Sequence, residues 1–422
     1  MIRRGSSDRV ARPSSPLWQR GIFPAIDLFS GCGGTSLGLQ KAGFTVLSAV
    51  EINKAAAHNY RLNVGIGAIT ADIRTIKGRY LRRHAGLRYG ECFLLTACPP
   101  CQGFSSQRRR QEAASDPRNN LVLEVARLTG EIGPAYLLLE NVPGLAKGVG
   151  ADLFSRMKNM LADIGYVTVE EKIVEAYNYG LPQRRARLIY IARHESMPSV
   201  DLAPETHCNP EKVPLAIDGE RLQPWRTVRD VFDTHRERLR PLTAGASDPD
   251  DPLHAAPAHA PDVLRRIMSI PINGGGRRDL PESLVLGCHR NYTGHNDVYG
   301  RMWWDRPAPT LTGGCHKPSK GRFLHPDQHR AISLREAALL QSFDIDTRFE
   351  KGSRDEIADQ IGNAVPPDLI AALAQPFKQA YHEWVQQRVD RARPTYQPSD
   401  AKNCEIVSIA RTAVVQETAA AR

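Results

Sequence analysis

The sequence has no long apolar run. Its longest apolar pieces, such as 135-AYLLLENV-142, fall well short of the ~18 residues a membrane helix needs, so no membrane span is expected. The first 20 residues are basic, but no apolar segment with a small-residue cleavage site follows, so no secretion signal is read. Cysteine is sparse, with eight in 422 residues. They are scattered, which argues against a disulfide framework and for reduced thiols in a cytoplasm. Metal-ligand spacing is also missing. Cys98 and Cys101 form a C-P-P-C pair that Cys92 does not complete, and Cys288 and His289 are adjacent with no second Cys pair near, so no metal is expected. No internal repeat is present. Acid is the scarcer charge: 46 Asp and Glu against 56 Lys and Arg leave +10 and a pI near 9.3. That surplus favours a polyanionic partner, nucleic acid first, although a merely solvated basic surface has the same composition.

The composition, 41% hydrophobic and 24% charged, is that of a globular protein with a sizeable core. Residues 1–20 read as a flexible basic arm. From 22 to 193, short buried-type strands (24–29, 45–51, 92–97, 135–140, 187–192) alternate with helices (35–43, 53–62, 119–132, 151–164). Alternation of that kind predicts crossover connections and a doubly wound, mainly parallel α/β sheet, whose ligands sit at the carboxyl ends of the strands. Near 194 the texture changes to Pro, Gly, His and Arg with little periodicity, which marks a second, smaller, irregular or β-rich domain. A helix is predicted over 333–343, with Ser333 and Glu336 in a capping-box pattern, and a last helix over about 367–388. The expected organisation is a core of 21–195 completed by 356–388, a second domain over 196–355, and a tail over 389–422.

Five clusters carry chemistry. In 26-IDLFSGCGGTSLGLQKAGF-44, a strand runs into a glycine turn and a helix. Gly31, Gly33 and Gly34 let backbone approach a ligand, although Ser36 breaks the dinucleotide fingerprint. Glu51 ends the next strand, where an acid can bind ribose hydroxyls, and Asp72 could hold an adenine amino group; both could equally be helix caps. In 96-TACPPCQGFSSQRRR-110, a stiff Pro-Pro loop carries Cys101 as a candidate thiolate nucleophile, with a redox pair or inert thiols as alternatives. The run Arg108, Arg109 and Arg110 suits a phosphate backbone or is simply solvated. In 138-LLENVPGL-145, Glu140 ends a strand as a candidate acid. In 176-AYNYGLPQRRARLIYIA-192, Gln183, Arg185 and Arg187 alternate, which would put them on one face of an extended segment. In 360-QIGNAVPP-367, an Asn-containing turn leads into the last helix.

In this order the motifs resemble those of the DNA (cytosine-5)-methyltransferases: FSGCGG at 29–34, Glu51, Asp72-Ile73, PPCQGFS at 99–105, ENV at 140–142, QRRAR at 183–187, RPAPTLT at 306–312 and QIGNAVPP at 360–367. The resemblance covers about 22 to 388 and makes 194–305 the variable target-recognition region. It implies methyl transfer from S-adenosylmethionine to C5 of a cytosine flipped out of duplex DNA, through a covalent bond between Cys101 and C6. Cys101, Glu140, Arg185 and Arg187 are then the catalytic residues, Glu140 contacting N3 and the exocyclic amine, Arg185 holding O2, and Arg187 supporting the loop. Phe29, Gly31, Gly33, Gly34, Glu51, Ile52, Asp72, Ile73, Asn363 and Val365 form the cofactor pocket. Gln102, Ser105, Arg108, Gln183, Arg277 and Arg278 are candidate DNA contacts. Cys98 stands where the family often has a small residue, and Asn53 where it often has an acid. The expected state is a monomer on cytoplasmic, nucleoid DNA, and a restriction–modification pair would add a separate cognate endonuclease. Rival readings are methylation of tRNA, a DNA-binding relative without activity, and a thiol oxidoreductase. The tRNA branch's Cys-Phe-Thr signature is missing, and the intact motifs disfavour the other two.

Overall fold

The computed structural model describes residues 16–100, 117–147, 149–211, 222–290, 294 and 296–392. Cys101, Gln102, Ser105 and Arg108 lie outside the described residues. The chain divides into two units, Met1–Lys378 and Gln379–Arg422; of the second, 379–392 is described and is helical.

Seven strands form the central sheet: β1 Pro24–Leu28, β2 Thr45–Glu51, β3 Ile69–Thr70, β4 Leu94–Ala97, β5 Tyr136–Asn141, β6 Tyr166–Glu175 and β7 Ala186–His194, in the order β3-β2-β1-β4-β5-β7-β6. β1 to β5 are parallel, whereas β7 runs antiparallel to both β5 and β6. Every residue of β1, β4 and β5 is buried, as expected of strands covered on both faces. β6 escaped the sequence reading for the complementary reason. It is an edge strand whose YVTVEEKIVE exposes Glu171, Lys172 and Ile173, so charge rather than an apolar run marks it.

The helices of the first half are α1 Gly34–Lys41, α2 Lys54–Val64, α3 Gly78–His84, α4 Leu121–Ile132 and α5 Val149–Ala162. Leu81 of α3, Val125 and Leu128 of α4, and Phe154 and Met157 of α5 share one core with Ile26, Leu95, Leu137 and Tyr190 of the strands. An aromatic chain links Phe23 to Phe93 (4.8 Å between ring centroids), Phe93 to Tyr136 (5.3 Å) and Tyr136 to Phe377 on the last helix (5.2 Å). Edge-to-face rings at such spacings add to burial and draw the returning helix onto the sheet.

Beyond β7 the chain is irregular rather than β-rich. Among the described residues it holds two short strands, His207–Cys208 and Gln223–Pro224, and the helices α6 Val228–Thr234 and α7 Pro261–Ser269. It ends in α8 Leu334–Leu340, α9 Arg354–Asn363 and α10 Pro367–Ala392. This region has its own apolar cluster around Phe232, Met302, Leu311, Phe323 and Phe343, which also takes in Cys32 of the glycine turn. The capping box is present: Ser333 and Glu336 exchange bonds at 3.1 and 2.7 Å.

Glu336 is also held by the fully buried Arg330, whose guanidinium donates to both carboxylate oxygens at 2.6 and 2.7 Å. Burial alone would raise the carboxyl, but the charge and hydrogen bonds of Arg330 outweigh it and bring it from 4.5 down to about 2. A group lowered in this way contributes stability above its unfolded pKa and loses it as pH falls from about 4.5 towards 2. His325 beside it is pushed by burial to about 3, so the fold also favours its neutral form and loses stability as pH drops below 6.5. Glu336→Gln should therefore lower stability at pH 7 by about 3 kcal/mol or more, because it leaves Arg330 buried without its counter-charge. It should also flatten the fall in urea midpoint between pH 4.5 and 2.

Candidate active site

The glycine turn leaves β1 through residues with left-handed backbone: Phe29 at φ 59°, Gly31 at 54° and Gly33 at 106°. Only the glycines adopt this without strain, so Phe29 is a forced position. The three glycines differ in what requires them. A Cβ on Gly31 would meet open space, so this position has room for a ligand. One on Gly33 would stand 2.8 Å from the Val64 side chain, and one on Gly34 only 2.2 Å from the Val365 carbonyl oxygen. Gly33 and Gly34 thus serve packing within the protein. Gly34 brings the turn against the segment 360–367, joining two motifs far apart in sequence.

Glu51 ends β2 and does not cap a helix. Its Oε2 accepts from Gly31 N–H at 2.8 Å and its Oε1 from Asn53 N–H at 2.7 Å. Burial raises its pKa against these bonds. Asn53 is the cap of α2, accepting from Ala55 and Ala56 N–H. Asp72 does cap a short helix, Ile73–Thr75, and is also paired with Arg74, whose Nε lies 3.0 Å from each carboxylate oxygen. The hydrogen bond from Arg74 holds Asp72 below the usual carboxylate range. Ile52, next to Glu51, is 64% exposed, whereas the Ile73 side chain is buried in the core. Ile73 can therefore offer a ligand backbone but not its side chain. Asn363 is exposed and Val365 is buried.

Under the turn, Asp27 is fully buried and accepts from Ser36 Oγ at 2.6 Å and Thr96 Oγ1 at 3.0 Å. Burial outweighs both bonds and lifts its pKa to about 7. Ser36 in turn meets the Tyr60 hydroxyl at 2.8 Å. This residue, which breaks the dinucleotide fingerprint, is therefore part of a buried polar chain that locks α1 to β1.

The carboxyl end of β5 carries Glu140 and Asn141, both buried. Asn141 Nδ2 donates to the Pro99 carbonyl at 2.9 Å and so anchors the Pro-Pro turn to this strand. Arg187 Nε lies 2.6 Å from Glu140 Oε1. That contact is an ion pair without hydrogen-bond alignment, and Oε1 receives no aligned hydrogen bond. Cys98 meets the Thr35 hydroxyl at 3.5 Å. Burial, then the charges of Glu140 and Asp27, push its thiol well above 9, which disfavours the thiolate a redox pair or nucleophile requires.

Gln183, Arg185 and Arg187 do not face one ligand. Gln183 is fully buried, donating to Gln341 Oε1 at 2.5 Å and accepting from Leu311 N–H at 3.1 Å. A side chain enclosed in this way cannot reach DNA, which corrects its reading as a DNA contact. Arg185 is also buried, and its guanidinium donates to the carbonyls of Leu311, Gly362 and Ala364 at 3.1–3.3 Å. It fastens the segment 306–312 to the turn after α9. Arg187 alone of the three reaches Glu140. The sequence reading also missed Gln341, which donates to the Ile361 and Ala364 carbonyls; a glutamine inside the apolar run 337-AALLQSF-343 was the available signal.

In the irregular part beyond β7, Arg277 is buried and donates to the Gly294 carbonyl at 2.6 Å and to Asn296 Oδ1 at 3.1 Å. Its guanidinium holds a neighbouring loop, which corrects its reading as a phosphate contact. Arg278 is exposed. No group of three or more His, Cys, Asp or Glu that could hold a metal occurs among the described residues, nor does a helix long and apolar enough to cross a membrane.

Comparison with known proteins agrees with this geometry. The model of the family described as C-5 cytosine-specific DNA methylase matches residues 23–379. The type II methylase M.HgiDII of Herpetosiphon aurantiacus is 36% identical over 85% of this chain and 95% of its own. The type II methyltransferase M1.HphI of Haemophilus parahaemolyticus is 32% identical over 83% and 85%. Among solved structures, a candidate DNA modification methyltransferase encoded within an E. coli prophage has the same fold, with a TM-score of 0.61, 22% identity, and coverage of 86% of this chain and 99% of that one. A family model spanning most of the chain, together with relatives above 30% identity, places it plainly: it belongs to the C-5 cytosine-specific DNA methylases, the S-adenosylmethionine-dependent enzymes that methylate cytosine in DNA.

Proposed function

We propose that the carboxyl ends of β1, β2, β4 and β5 form one site. In it Cys101 attacks C6 of a cytosine flipped out of duplex DNA, and C5 receives a methyl group. The observation that carries this reading is Glu140: a buried carboxylate ion-paired to Arg187, on the strand whose Asn141 anchors the turn before Cys101. Cytosine C5 is a poor nucleophile. Addition of the Cys101 thiolate forms an S–C6 bond and shifts the electron pair of the C5–C6 double bond to C5. Glu140 takes the exocyclic N–H and passes a proton to N3, and that proton draws electron density from the ring as the thiolate adds. Arg187, rather than Arg185, is the guanidinium that reaches O2, because Arg185 is already committed to three backbone carbonyls. Loss of the C5 proton and expulsion of the thiolate restore the double bond.

S-adenosylmethionine supplies the electrophilic methyl carbon. The residues fit it: Gly31 is open, Ile52 offers an exposed apolar side chain for an adenine face, and Glu51 stands fixed at the end of β2 with acceptor lone pairs to spare. Phe29, Asp72, the backbone of Ile73, Asn363 and Val365 complete the proposed pocket. Residues 196–355 would read duplex DNA, with Arg278 as a phosphate contact and Gln102, Ser105 and Arg108 at the cleft. The protein would act as a monomer on nucleoid DNA, beside a cognate endonuclease if it is one half of a restriction–modification pair.

Three measurements test this. Cys101→Ser should abolish methyl transfer to a cognate duplex while calorimetric binding of S-adenosylmethionine persists; turnover retained in Cys101→Ser but lost in Cys98→Ser would reverse the assignment. Glu51→Ala should weaken S-adenosylmethionine binding by ~1–3 kcal/mol, the scale of a hydrogen bond to a charged group, with DNA affinity little changed. Arg187→Ala should lower kcat by about 10²-fold or more in protein that thermal melting shows to be folded, with stability also lost because Glu140 is left buried without its counter-charge, whereas Arg185→Ala should lower stability by about 2–4 kcal/mol through its orphaned carbonyls.

A further inference from the structure

The segment 73-IRTIKGRYLRRHAGLRYG-90 carries five arginines and one lysine and no acidic residue. It covers α3 and its flanks, and beyond the backbone of Ile73 nothing in the proposed reaction uses it. Two of the cations have structural work: Arg74 pairs with Asp72, and Arg82 donates to the Glu131 carbonyl at 3.1 Å and lies over the Tyr89 ring. The other four, Lys77, Arg79, Arg83 and Arg88, are exposed, and none makes an ion pair among the described residues. Two tyrosines stand among them with unusually exposed rings, Tyr80 at 51% and Tyr89 at 62%. Tyr89 is held in place from below, since a Cβ on Gly133 would stand 2.7 Å from its ring.

The patch is built onto the far end of α4, away from the glycine turn. Gly78 N–H donates to Glu131 Oε2 at 2.5 Å and Gly90 N–H to the Ile132 carbonyl at 3.2 Å. Glu131 and Ile132 end α4 just before the chain enters β5 at Tyr136, so they lie towards the amino ends of the strands. The site residues Glu51 and Glu140 stand at the carboxyl ends. The cations therefore lie outside the cleft.

We propose that this face of α3 binds the sugar–phosphate backbone of a second stretch of duplex DNA, without regard to sequence. Clustered exposed cations match a polyanion, and the acids beside them, Glu91 and Glu131, are engaged by the N–H groups of Arg88 and Gly78. Tyrosine hydroxyls are recurrent phosphate donors, and a held ring adds contact with sugar at little entropic cost. An exposed run of arginines without acids has no comparable fit to a neutral or basic partner. The inference uses the DNA methyltransferase reading only to choose the polyanion, and it places no residue in the reaction. Its consequence is kinetic: a second grip keeps the enzyme on long DNA between encounters with its target.

The test compares the wild-type chain with a triple variant, Arg79→Ala, Arg83→Ala and Arg88→Ala, and a second in which the same three become Lys. Thermal melting checks that each is folded. Binding to a long duplex lacking the target site is measured across a salt series. The alanine variant should lose about three units from the slope of log K against log salt, near one per lost phosphate contact, and the lysine variant should keep most of it. On a duplex of about 20 base pairs containing the target, roughly two helical turns, kcat should be unchanged in both variants, while methylation of successive sites on one long molecule should become less processive in the alanine variant. A folded alanine variant with the wild-type salt slope and processivity overturns the proposal. A loss of kcat on the short duplex also overturns it, because the residues would then belong to the cleft. An inactive wild-type enzyme would count against the proposed reaction alone, since the salt slope is read without turnover.

Discussion

The guanidinium of Arg185 closes the molecule. After leaving the sheet at β7, the chain runs through well over a hundred residues of largely irregular structure before it returns. Arg185 meets it there through the carbonyls of Leu311, Gly362 and Ala364, and Gln183 and Gln341 reinforce the junction. These donors matter because Leu311 lies in irregular chain and Gly362 in the last turn of α9, where carbonyls have no partner within the helix, and a buried carbonyl without a donor is costly. With the junction made, Val365 can sit against Gly34 and α10 can run under α1, where a Cβ on Gly38 would stand 2.4 Å from the Pro367 carbonyl oxygen. The carboxyl end of the sheet thus has one wall contributed by the distal part of the chain.

Much of the sheet was legible in the sequence, and for one reason. A strand covered on both faces must be apolar throughout, as 24-PAIDL-28, 94-LLTA-97 and 136-YLLLEN-141 nearly are. Where burial is one-sided or ends early, that signal fades. β6 has charged side chains facing water, and the two-residue β3 is too short for any period to show. The helices α3 and α9 were missed because α3 is crowded with arginines and α9, RDEIADQIGN, opens on charge and contains glycine.

The candidate site divides similarly. Residue types at strand ends could be recognised because topology brings those ends together, and Glu140 and Glu51 are where that logic puts them. Direction of side chains could not be recognised. Alternation along 183–187 suggested a shared face, and Gln183 and Arg185 do share one, but the bridge from Gln183 to Ala308 turns that face onto the returning chain rather than into the cleft. Arg277 misled for a related reason: beside exposed Arg278 it reads as surface charge, yet the short helix Arg277–Asp279 turns it towards Gly294.

Arg185 also bears on how such a protein diverges. The distal acceptors described for it, at Leu311, Gly362 and Ala364, are main-chain oxygens, which every amino acid supplies. The residues at 311 and 364 can therefore change without removing the acceptor, while Gly362 is held by packing, since a Cβ there would stand 2.3 Å from the Thr312 carbonyl carbon; no exchange at these positions compensates for losing the arginine. Paired substitutions across a set of descendants would reveal contacts such as Arg330 with Glu336, where each side chain constrains the other. They would be blind to the contact that holds the chain closed, which would register only as one arginine that does not change.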